Sequence, residues 1–181
     1  MDAGGDMSAT FEHRDLGRKA IEREVRLSRK LVALVGIPGD ARNPVDADGK
    51  PAQINMASLA YIMEKGSPVN KIPPRPFMEQ TRQKSMKRVM GLMARLQKAI
   101  SNGTLTAMAA IKKLGAAYEG EMKAIFTTGT FEPNSSITVS GGWMRNKVSG
   151  KAFKVKGKGS SRPLIDTGRL RQSIIYKVAK V

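Results

Sequence analysis

The chain has 181 residues, enough for one domain with a buried core, and no cysteine, which excludes a disulfide framework, a thiolate nucleophile and a Cys-based metal site. Its formal net charge of +17 favours a negatively charged partner (nucleic acid, a membrane face or an acidic protein surface) over a surface that is charged only for solubility. No sequence-reading nucleic-acid motif is present, no apolar run approaches the roughly 20 residues that cross a bilayer, and the first 15 residues lack the basic-then-apolar order of a signal peptide.

Residues 1–9 are rich in Gly and Asp and read as a flexible N-terminal arm; residues 10–181 read as a single domain. From about Thr10 to near Lys30 the pattern is helical, with Leu16, Ala20, Leu27 and Leu31 on one face and Ile21, Val25 and Val32 beside it. The β-branched run Leu31 to Ile37 reads as a strand ending at the turn Gly36-Ile37-Pro38-Gly39. Asn43-Pro44 and Asp48-Gly49 mark turns in the polar segment that follows. Asp46, Asp48 and Gly49 do not make a calcium loop, because the glycine comes too early and no bidentate Glu follows.

Asn55 to Lys65 is the next helix, with Asn55 as N-cap, Gly66 just past its end, and Leu59, Ile62 and Met63 toward the core. The Pro-rich stretch Gly66 to Pro76 is expected to be stiff and extended, with Pro76 in the first turn of another helix. That helix sets Met86, Val89, Met90, Met93, Leu96 and Ile100 on one side and ends at Ser101-Asn102-Gly103. Thr104 is expected to cap a further long helix carrying Met108, Ile111, Gly115, Tyr118, Met122 and Ile125. Gly115 in this stripe costs about 1 kcal/mol relative to Ala, which close helix packing would offset.

Residues 128–162 change character: glycines multiply and Lys151, Lys154, Lys156 and Lys158 alternate with Ala152, Phe153, Val155 and Gly157. This segment reads as a basic loop or hairpin insertion, with a brief strand at Ser136 to Val139. Leu170 to Val181 reads as a final strand.

Catalytic chemistry finds no carrier. His13, the lone histidine, has no oriented partner for general-base work. Gly157-Lys158-Gly159-Ser160 fails the phosphate-loop spacing. Glu119 and Glu121, two apart on a helix, diverge. Trp143 reads as a loop anchor or interface residue in preference to a base-stacking platform, since no second aromatic accompanies it. The chain is therefore expected not to be an enzyme, with no cofactor and no metal.

Two stretches remain. One joins Leu59-Ala60-Tyr61-Ile62-Met63-Glu64-Lys65-Gly66 to Ile72-Pro73-Pro74-Arg75-Pro76-Phe77-Met78; its three prolines freeze an extended path with Arg75 outward and Phe77 buried. The other is Pro163-Leu164-Ile165-Asp166-Thr167-Gly168-Arg169-Leu170-Arg171-Gln172-Ser173-Ile174, a sharp turn that presents Arg169. Rigid turns lose little entropy on docking. Arg75, Pro76, Phe77, Trp143, Asp166, Thr167, Gly168 and Arg169 are the candidate interface residues.

In this order the two stretches resemble the neck, or tail-completion, proteins of tailed phages, also termed virion morphogenesis or minor tail proteins. The resemblance covers the middle and end of the chain. It implies an α+β fold with several helices packed on a small antiparallel sheet. It also implies a structural virion protein that completes the tail and joins the head connector to the tail in viral assembly. Copies would form a homo-oligomeric ring, a hexamer or dodecamer, around the DNA path, through a heterologous interface. Neighbours would be the head connector and the tail terminator or tube proteins, with no membrane partner. The protein would sit at the virion neck after assembly in the host cytoplasm. Lys151, Lys154, Lys156 and Lys158 are the candidate DNA-facing residues, for non-specific contact with packaged DNA. The alternative is a small basic cytoplasmic nucleic-acid-binding protein unrelated to virions, which the charge and the lysine-rich segment alone would support.

Overall fold

Among the residues that the computed structural model describes, 17–41, 54–145, 149–161, 163–164 and 168–181, the element order is α1 (Arg18–Ser28), β1 (Leu31–Gly36), α2 (Met56–Lys65), α3 (Phe77–Ser101), α4 (Ala107–Thr128), α5 (Ser136–Ser140), β2 (Gly142–Arg145), β3 (Ala152–Val155), α6 (Arg169–Gln172) and β4 (Ile175–Lys180). The N-terminal arm, His13, the Asn43-Pro44 and Asp48-Gly49 turns, Asp166 and Thr167 lie outside the described residues. The fold is α+β: helices packed with two small antiparallel sheets, β1–β4 and β2–β3.

Helix α4 lies at the centre, against α1, α3, β1, β4 and α6. The first sheet runs in the register Leu31↔Lys180 to Gly36↔Ile175. Its Ala33 and Tyr176 side chains meet α4 at Gly115, while Leu34 points away and is exposed. The expected close packing at Gly115 is present, but its partner is this sheet and not another helix. Two apolar clusters flank α4. One gathers Met56, Ala60, Phe77, Met122, Ile125, Phe126, Leu170 and Ile174; the other gathers Leu31, Ile100, Ala107 and Ala110. In the first, the rings of Phe77 and Phe126 meet at 5.1 Å and 52°, a tilted aromatic contact.

Side chains both near and distant in sequence cap the starts of α2, α3 and α4. The Asn55 side chain accepts a hydrogen bond from the Ser58 N–H (2.7 Å) to start α2, and Gly66, at φ 76°, ends it. Pro76 stands as N-cap of α3 and offers no side-chain cap. The carboxylate of Glu64, at the end of α2, takes over by accepting from the N–H groups of Met78 (2.9 Å) and Glu79 (3.2 Å). Helix α4 is capped by Thr106, whose hydroxyl accepts from Ala109 N–H (3.3 Å), and by Glu24 of α1, which accepts from Ala107 N–H (2.8 Å). The expected cap, Thr104, instead donates to the Ala99 carbonyl at the end of α3.

On α3, Met86, Met90 and Met93 are exposed, and the buried positions are Phe77, Thr81, Ser85 and Ile100. Thr81 and Ser85 tolerate burial because each hydroxyl donates to the carbonyl four residues back, at 2.7 Å. Ser136 to Val139 forms a short helix and not a strand. Backbone bonds from Thr138 and Val139 to the Ser135 carbonyl close its turn, and among the described residues no strand pairs with it. Residues 67–72 are not extended but fold back, closed by reciprocal bonds between Ser67 and Ile72 (2.8 and 2.9 Å). The last strand begins only at Ile175, because Gly168, left-handed at φ 72°, launches the single turn α6, in which Leu170 is buried.

Candidate functional site

The two sequence stretches meet. Ala60 and Phe77 from the first share one core cluster with Leu170 and Ile174 from the second. Above this shared floor their loops, with residues 132–138, border a groove of about 770 Å³. Met56, Leu59 and Met63 of α2 line one wall, and Leu164, Gly168 and Arg169 another; Lys71 and Lys158 add positive charge, with Glu132 the acidic group among the lining residues.

Backbone geometry holds the groove's shape. Gly66 combines positive φ with close approach: a Cβ there would stand 2.8 Å from both the Ile72 carbonyl oxygen and the Pro74 nitrogen. Among the described residues, Lys71 (φ 53°) and Leu164 (φ 62°) are the non-glycine positions with left-handed backbone, and both line the groove. A Lys or Leu held there costs on the order of 1 kcal/mol, and such strain gathers at ligand clamps and docking sites. Leu164 belongs to the second stretch, and Lys71 to the link between the two parts of the first.

Arg75 corrects the expectation of an outward side chain. It is 7% exposed. Its backbone N–H donates to the Met63 carbonyl (2.7 Å), fixing the Pro-rich segment to the end of α2. Its guanidinium donates through Nε to the Glu132 carbonyl (3.0 Å) and through Nη2 to the Pro133 carbonyl (3.2 Å) and Asn134 Oδ1 (3.4 Å). Burial lowers its pKa from the ordinary guanidinium value, and the Glu132 charge opposes that shift. The prolines fix the backbone path, but the acceptors, 57 to 59 residues further along the chain, fix the side chain's direction. Asn134 continues the tie, donating from Nδ2 to the Ser160 carbonyl (3.3 Å) and from its backbone N–H to that of Ser161 (3.2 Å). Arg75 is thus a clamp under the groove.

The other predicted residues separate. Phe77 is fully buried, and Pro76 is half-buried at the start of α3. Gly168 and the half-buried Arg169 lie in the groove. Trp143 stands apart on β2, 70% exposed. Lys151, Lys154 and Lys156 are exposed on or beside β3, whereas Lys158 is half-buried in the groove, its backbone N–H bonded to the Thr138 carbonyl.

Sequence reading passed over three carboxylates that bind backbone N–H groups. Glu24 and Glu64 cap α4 and α3, and Glu119 accepts from Tyr176 N–H (3.0 Å) while pairing with Lys123 (2.5 Å). Only Glu64 carried a local hint, two residues before the helix-ending Gly66. Among the described residues no cluster of His, Cys, Asp or Glu is grouped to hold a metal ion, and no helix is long and apolar enough to cross a membrane. The groove offers an apolar floor, a cationic bias and a rigid rim, which suit an incoming protein segment. No protein-family model, curated protein or solved structure matches the chain.

Proposed function

We propose that this chain is a structural, non-enzymatic protein of the tailed-phage neck. In this reading it completes the tail and joins the head connector to the tail, as a ring of copies around the DNA path in the virion. The observation that carries the reading is the convergence of the two stretches that bear the resemblance. They lie 85 or more residues apart in sequence, yet they share one core cluster and border one groove, whose two strained residues are Leu164 of the second stretch and Lys71 in the link between the two parts of the first. The groove would receive a segment of a neighbouring copy, of the connector or of the tail terminator.

Deletion of the gene in the phage, followed by electron microscopy of lysates, tests this. Filled heads and finished tails that fail to join are the expected result. Joined, infectious virions from the deletion strain would overturn the reading.

A further inference from the structure

The β2–β3 hairpin has two chemically different faces. Its register pairs Trp143 with Lys154 and Arg145 with Ala152, and opposed residues on an antiparallel ribbon project to the same side. The remaining pairs, Gly142 with Val155 and Met144 with Phe153, project to the other side, where Met144 borders the groove. The first face is therefore turned outward. Trp143 is 70% exposed there, and Arg145 and Lys154 are exposed beside it. A large indole left in water is an unusual use of the chain's single Trp.

Charge identifies what would cover it. Between Glu132 and Asp166 the sequence contains Lys and Arg but no Asp or Glu, so no carboxylate from its own segment neutralises the hairpin. A second copy of this chain, at +17, is a poor electrostatic match. A polyanion is a good one. The indole narrows the choice further, because a flat aromatic surface flanked by cations binds a nucleic-acid strand whose base faces are free to stack. In a duplex those faces are occupied by neighbouring base pairs.

We infer that the Trp143–Arg145–Lys154 face of the hairpin is a binding site for single-stranded nucleic acid, with Trp143 stacking on a base and Arg145 and Lys154 contacting the flanking phosphates. The site needs no base-edge readout, so it is sequence-tolerant. It does not depend on the neck reading: that reading is tested by particle morphology, this one by binding of the purified protein.

Trp143 is the chain's only tryptophan, so fluorescence excited selectively in tryptophan, and not in the three tyrosines, reports on this site alone. The purified full chain is titrated with oligo(dT) of about 16 nucleotides, with a duplex of equal length, and with polyglutamate. Saturable quenching by oligo(dT), at lower concentration than by the duplex or polyglutamate, is expected. Binding of fluorescein-labelled oligo(dT) to variants is followed by anisotropy. Trp143→Ala should weaken it by roughly 5- to 100-fold, and Trp143→Phe should restore most of the loss. Lys154→Ala should lower the slope of log affinity against log salt by about 0.7. Circular dichroism checks that each variant is folded. Equal affinity for the duplex or polyglutamate, or unchanged oligo(dT) binding by folded Trp143→Ala, would overturn the inference; the polyglutamate outcome would point to an acidic protein surface instead.

Discussion

The ring of Tyr176 lies against the bare Cα of Gly115, so that a methyl group added there would stand 2.5 Å from Cδ2 and 2.9 Å from Cγ. This contact sets how closely α4 approaches the β1–β4 sheet. Gly115→Ala gains about 1 kcal/mol in helix propensity but forces the ring and strand apart. Overpacking of this kind costs about 1–3 kcal/mol. The variant should melt lower than the parent. Gly120→Ala, in the same helix with nothing within 4 Å of the added carbon, should melt higher by the equivalent of about 0.5–1 kcal/mol. Thermal unfolding of the pair separates packing from propensity; two shifts of the same sign would contradict this account of Gly115.

Arg75 was expected to report on docking, and its burial changes that. Arg75→Met keeps much of the side-chain length but leaves the carbonyls of Glu132 and Pro133 without their donor. Loss of a buried charged donor costs about 2–4 kcal/mol. Urea unfolding of the isolated protein should show this loss. An unchanged midpoint would mean that the clamp contributes nothing to the fold.

Glu64→Ala should loosen the start of α3. The carboxylate accepts from two N–H groups that Pro76 cannot satisfy, and removal of a cap costs about 0.5–2 kcal/mol. Amide hydrogen exchange at Met78 and Glu79 should accelerate more than exchange in the middle of α4. Uniform acceleration across both helices would indicate a global effect and not a lost cap.

Glu79 gives a pH-dependent signal. Its hydrogen bond from Arg82, then that from Gln83, hold its carboxyl pKa down to about 2. Because the folded value lies below the unfolded one, the interaction contributes stability above the ordinary glutamate range near 4 and loses it as pH falls toward 2. The Arg82–Glu79 pair should therefore survive at pH 3.5, where an ordinary glutamate is mostly protonated. A carboxyl NMR titration of Glu79 with a midpoint near 4 would refute this.

Features whose partners lie within a few residues were legible from sequence. Asn55 and Gly66 bound α2 because a cap is a local bond. Alternation marked Ala152 to Val155 as hairpin or loop, but the partner strand Gly142–Arg145 carried no such pattern. What failed depended on distant partners. The core face of α3 is set by α4, which accepts Thr81 and Ser85 because their hydroxyls close onto their own helix, so the apolar Met86, Met90 and Met93 lie off that face. The direction of Arg75 is set by carbonyls at Glu132 and Pro133. Both halves of the groove were recognisable as rigid turns, but their meeting depends on the shared cluster under Phe77 and Leu170, which no local pattern encodes.

The inward use of carboxylates has a further consequence. Glu24, Glu64 and Glu119 face backbone N–H groups, while Glu22, Glu79 and Glu121 are engaged by Arg18, Arg82 and Arg88. Among the described residues these six carboxylates are already engaged, and at a net charge of +17 two copies approach as like-charged bodies whose repulsion extends about 10 Å at 0.1 M salt. Light scattering across a salt series should show particle mass rising with ionic strength or with an added polyanion; the same mass at every salt would refute the idea. Self-association then acquires an electrostatic gate, in which copies stay dispersed until something anionic gathers them.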